Sequence, residues 1–125
     1  MGIYKKYNTN KDAEVKGVPV YFGDEVFYIK RAGGQNREYV KCLGEKSNLV
    51  KGRFLKPEEA ERITAEVIAK TIIVKWENLH DKNGDLLPYS EENCVNLLCE
   101  LPDFMEEILR VAGIRQTFQV DDLKN

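Results

Sequence analysis

The first apolar cluster in the chain is Val18-Pro19-Val20-Tyr21-Phe22, a β-branched and aromatic run. Gly23-Asp24 follows with turn chemistry, and Glu25-Val26-Phe27-Tyr28-Ile29-Lys30-Arg31 repeats the same texture. Two short apolar runs split by a glycine-containing turn predict a β-hairpin over 18–31. Pro19 has no N–H for a ladder, so its strand is expected at an edge. An isolated hairpin is marginal in water and has to pack on something else. Residues 1–14 show no apolar period, and they predict a flexible N-terminal arm.

Past Ala32-Gly33-Gly34 the apolar spacing changes from two to three and four. A helix is expected over 35–45, with Tyr39, Cys42 and Leu43 inward, followed by a basic, polar connection over 46–56. Pro57 suits a first helical position, where the N–H has no partner anyway, and Glu58 and Glu59 suit the positive end of the helix dipole. Ala60, Ile63, Thr64, Val67, Thr71 and Val74 then keep one stripe, which Ile68, Ile72 and Trp76 widen. That breadth predicts a central helix over 57–76. Ser90 before Glu91 and Glu92 predicts a capped helix over 90–100, burying Val95, Leu97 and Leu98. Pro102 restarts the chain as a helix over 102–112, which buries Phe104, Met105, Ile108, Leu109 and Ala112 and stops at Gly113. Residues 119–125 read as a tail. The expected fold is α+β and mostly α: one domain over 15–118, with a short N-terminal β-hairpin followed by about four helices.

Composition narrows the class without naming a function. The chain has 125 residues, 32% charged and 42% hydrophobic, an ordinary balance for a globular domain of this size. Such a length buries about two-thirds of the unfolded surface, enough for a core without staples. No apolar run approaches the roughly 20 residues that span a bilayer, and the N-terminal residues lack a signal's apolar stretch. The three cysteines are therefore expected as reduced thiols. The net charge of −2 hides a split: residues 1–56 carry twelve Lys/Arg against six Asp/Glu, and residues 57–125 carry seven against fifteen. Opposite charges on two parts of one molecule suit head-to-tail self-association, so a homo-oligomer is expected. An acidic chain with only a weak basic-aromatic cluster, at Tyr4, Lys5, Lys6 and Tyr7, is not expected to bind nucleic acid, nor a membrane.

Candidate chemistry is sparse. The one histidine, His80, has no cysteine near it in sequence. Cys94 and Cys99 lie five apart, which separates them on a helix. Counting Asp81 as the first position gives Asn83, Asp85 and Glu92 the spacing of an EF-hand loop, but Leu86 occupies the place where that loop needs glycine. No catalytic dyad, cofactor fingerprint or metal cluster emerges, so no catalysis, cofactor or metal is expected. The candidate partner-binding residues are Arg31, Gly33, Gly34, Asn36 and Arg37, where glycines turn a strand into a helix start flanked by two arginines, an arrangement suited to an anion.

Three segments carry a resemblance. They are Tyr28 to Tyr39; Val74-Lys75-Trp76-Glu77-Asn78-Leu79 with Asp81 to Asn93; and Leu97-Leu98 through Leu101-Pro102-Asp103-Phe104, closing with Phe118. In that order, across about residues 15–118, the chain resembles the tail assembly chaperones of long-tailed bacteriophages. It departs from them at Lys75, where a glycine commonly precedes the tryptophan, and in its cysteines. The resemblance implies a non-virion factor in the cytoplasm of the infected host, with the tape measure protein and tail tube protein as partners. It also implies a longer frameshifted product. Two other classes fit the same composition: a virion structural protein of the tail or head-tail connector, and a regulatory or anti-host protein that binds a host protein.

Overall fold

The computed structural model describes residues 2–119. Two short helices come first, α1 (Gly2–Tyr7) and α2 (Lys11–Lys16). Strands β1 (Val18–Phe22) and β2 (Glu25–Ile29) follow, then α3 (Arg37–Leu49) and α4 (Pro57–Thr71). Strand β3 (Ile73–Glu77), α5 (Glu91–Glu100), α6 (Pro102–Gly113) and a 3-10 turn at Arg115–Phe118 complete the described chain. The three strands form one antiparallel sheet in the order β1-β2-β3, so Pro19 stands on an edge strand.

This order corrects the expected fold class. The strands follow two helices instead of leading the chain, and the sheet has a third member. The arm expected over 1–14 lacks an apolar period because polar contacts hold it. Asn10 caps α2, its side chain accepting from the Ala13 N–H at 3.1 Å, and its own N–H donates to the Phe118 carbonyl at 2.7 Å. Glu14 of α2 is buried.

The helix expected over 57–76 ends at Thr71, and its last residues are β3. Phe27 pairs with Trp76, Tyr28 with Lys75 and Ile29 with Ile73, so Val74 is an extra residue, a bulge. The bulge turns both Ile73 and Trp76 inward although they are three apart. A bulged strand thus shows the spacing of a helix, and the β-branched run Ile72-Ile73-Val74 favours the extended form. The helix expected over 35–45 spans Arg37–Leu49 instead, since Gly44 sits in open space and does not stop it. Leu43 is 44% exposed, not inward. Of the tail expected at 119–125, residues 120–125 lie outside the described residues.

Helix α4 is central and touches α3, α5, α6 and β3. Its residues Ala65, Ile68 and Ala69, with Ile72 just past its end, pack in one core with Phe27 and Ile29 of the sheet, Leu98 of α5 and Ile108 of α6. Trp76 lies against Phe27 and Tyr89, with ring centres 5.6 and 4.9 Å away, and its indole N–H donates to the Leu87 carbonyl at 2.7 Å. Phe104 meets Phe22 and Phe27 edge-on, both at 5.1 Å. Among the described residues no helix is long and apolar enough to cross a membrane.

Candidate functional site

Of the five candidate residues around the glycine pair, Asn36 is buried, Arg31 and Gly33 are half-buried, and Gly34 and Arg37 are exposed. Arg31 donates to Glu14 at 2.9 Å, and Glu14 also accepts from the Gln35 N–H at 2.7 Å and from the Thr9 hydroxyl. Burial alone would raise the Glu14 carboxyl; the donors from Thr9, Gln35 and Arg31 outweigh it and hold the group below the usual carboxylate range. Asn36 is buried, and its amide donates to the Arg31 and Thr71 carbonyls, both at 2.8 Å. The Gly33 carbonyl accepts from the Asn36 N–H. Gly34 sits at φ +55°, and a Cβ there would collide with the Glu14 carboxylate and the Arg31 stem. Ala32 donates to Ala112 and Lys30 to Ile72, so the same segment binds α6 and the junction between α4 and β3. Arg31 and Asn36 therefore tie the loop to α2 and α4, their neighbour Ala32 ties it to α6, and the Arg31 guanidinium is matched by Glu14. Arg37 stands exposed at the first position of α3.

The open site lies elsewhere, between the 78–87 lobe and the α5–α6 corner. Asn78, at φ +64°, turns the chain out of β3 and ties it to the sheet by donating to the Asp24 carbonyl. Leu87 N–H to Leu79 O at 2.8 Å and Asp81 N–H to Asp85 O at 2.8 Å close the lobe. An Asp81 carboxylate oxygen accepts from the N–H groups of Asn83 and Asp85, which uses it to hold the turn. On the other side, Leu101 ends α5 and begins α6, bringing the two helices together at a corner. Lys82 reaches across from the lobe to form an ion pair with Glu100, which keeps the ammonium charged above its ordinary range.

Between these walls is a groove of about 600 Å³. Phe27, Leu79, Leu87, Leu97, Leu101 and Phe104 supply its apolar lining; Glu25, His80, Asp81, Lys82, Asn96 and Glu100 stand among its polar residues. That is three carboxylates against one ammonium. Leu101 remains 48% exposed although it is a large apolar residue. An apolar floor with a polar rim is the form of a docking site, where burial gives affinity and the rim gives orientation.

His80 stands at the groove without a cysteine among its lining residues. Burial, with Glu91 adding to it, pushes the Cys94 thiol up to about 12, which keeps it a thiol at neutral pH. Sequence reasoning passed over the groove because Leu97 and Phe104 read as ordinary core. The signal was an excess: Leu97, Leu101 and Phe104 keep a 3/4 spacing through a helix break, beyond the stripe that Leu98, Met105 and Ile108 already fill. Glu14 gave no such signal, being one carboxylate in a polar run.

No curated protein and no solved structure matches the chain. The model of the YdaY prophage protein family matches residues 30–125, a stretch that begins at the Arg31 loop and takes in both walls of the groove. With well over half of its length matched, the chain belongs to the YdaY prophage protein family and is phage-derived.

Proposed function

We propose that this phage-derived protein is a non-catalytic tail assembly chaperone that holds a helical, apolar segment of the tape measure protein in the groove between the 78–87 lobe and the α5–α6 corner. The observation that carries the reading is the groove itself, about 600 Å³ with an apolar floor and an open Leu101 at its edge. An amphipathic helix laid in such a groove buries its anchors at i, i+3 and i+4, while its polar face stays in water. A long apolar client needs this cover until tail tube subunits enclose it. The sequence resemblance supports the client, and membership in a prophage family supports the setting, the cytoplasm of the infected bacterium.

The test is co-expression with the tape measure protein of the same phage, followed by purification through a tag on this chain. The expected outcome is a complex that Asn96→Trp weakens by about tenfold while thermal stability stays unchanged, because Asn96 is exposed on α5 and a larger side chain there narrows the groove. Finished phage particles should lack the chain. Its presence in them would make it a structural subunit, and failure to retain the tape measure protein would end the client reading.

A further inference from the structure

Helix α1 is the most exposed element of the described chain. None of its residues is buried, and it carries Lys5 and Lys6 with no acidic residue. Ile3 and Tyr4 are 70% and 88% exposed. At 100° per residue Ile3, Tyr7 and Tyr4 fall within one arc, with the two lysines on its flanks. The helix is nevertheless held at its C-terminal end. The Arg115 guanidinium lies 4.3 Å from the Tyr7 ring centre, and Gln119 donates to the Lys6 carbonyl at 2.6 Å. It therefore projects Ile3 and Tyr4 from a fixed base, which lowers the ordering cost of docking them. No residue of α1 lines the groove of its own chain.

The groove is the complement of this helix in both respects. Its floor is apolar, and among its lining residues Glu25, Asp81 and Glu100 outnumber Lys82, so its formal balance of −2 meets the +2 of Lys5 and Lys6. The same polarity runs through the chain, since residues 1–56 are basic and residues 57–125 acidic. We infer that the groove takes α1 of a second copy of this chain, with Ile3 and Tyr4 on the apolar floor and Lys5 and Lys6 against the carboxylate rim. The contact is heterologous, because one surface meets a different surface on the neighbour, and it therefore propagates into rings or open arrays. It uses the groove assigned to the client but needs no client, and client binding would release it.

Two variants of the full chain and their mixture test this. Ile3→Asp with Tyr4→Asp spoils the helix and leaves the fold intact, since neither residue is buried. Asn96→Trp spoils the groove. Sedimentation velocity at low salt should show wild-type oligomers that grow with concentration. They should shrink at 1 M salt, where the Debye length falls to about 3 Å from about 10 Å at 0.1 M. Each variant alone should associate about tenfold more weakly or worse. Their equimolar mixture should give a dimer and nothing larger, because it contains one good helix and one good groove per pair. A wild-type chain that stays monomeric at every concentration overturns the inference, as does a mixture that stays monomeric while wild type assembles. Binding of monomers to phosphatidylglycerol vesicles, lost in the Ile3/Tyr4 variant, would assign α1 to a lipid surface instead. The client reading fails separately: the Ile3/Tyr4 variant keeps an open groove and should still retain the tape measure protein.

Discussion

Glu14 shows how one side chain can organise a fold without leaving a pattern in the sequence. It is 1% exposed, yet it keeps its charge because three donors surround it. Its carboxyl titrates below the ordinary value when folded. As pH falls, the unfolded chain therefore takes up this proton first, and stability is lost as pH descends through the folded value. Above the unfolded value the contribution is complete. Glu14→Gln should lower stability at neutral pH by about 1–3 kcal/mol and flatten the acid side of a pH–stability curve from urea titrations. An unchanged acid slope would mean that another carboxylate carries it. Gly34→Ala strikes the same knot from the other side, placing a Cβ against Glu14 in a left-handed backbone, and should cost more than about 1 kcal/mol. Trp76→Ala should cost roughly 3–5 kcal/mol, since it removes a buried ring between Phe27 and Tyr89 together with the partner of the Leu87 carbonyl. The Trp76 burial was legible because tryptophan ended an apolar stripe. The Glu14 knot was not, since long-range polar contacts follow no period. The glycine pair and Arg31 were visible as a special turn, whereas the tertiary partner of Arg31, Glu14, was not.

At the scale of elements, legibility followed the source of each element's stability. Helices α5 and α6 stand where Ser90, Pro102 and an apolar stripe announce them, because local capping and core packing agree there. Strands β1 and β2 likewise occupy the alternating runs around Gly23-Asp24. Strand β3 was hidden by its bulge, which gave a strand the three-residue spacing of a helix. Helices α1 and α2 were hidden for another reason: they are six residues each, too short to be stable on their own, and depend on a cap and on the 118–119 segment. Asn10→Ala should therefore cost about 0.5–2 kcal/mol and speed hydrogen exchange at residues 11–16 more than in α4. Equal acceleration in both elements would show that the N-terminal helices unfold only with the whole molecule.

The whole molecule pairs a basic, apolar projection with an acidic, apolar groove, and the groove is the surface on which its proposed roles meet. The charge split was legible from counts alone. The groove was not, because it forms only when the 78–87 lobe folds over toward a corner between two helices. Lys82 and Glu100 span the two walls, and the floor beneath them is contributed by β2, the lobe, α5 and α6. Two ligands of one groove exclude each other, so tape measure protein should dissolve the oligomers of the free chain in a light-scattering titration; oligomers that persist with client bound would place one of the two contacts elsewhere. The most direct measurement is site-specific photo-crosslinking in cells that make both this chain and the tape measure protein. A photoreactive side chain at Asn83, on the groove's rim, should give a crosslink to the tape measure protein, whereas one at the exposed Tyr21 on β1 should give none. Crosslinks from Tyr21 with none from Asn83 would contradict the groove as the client site.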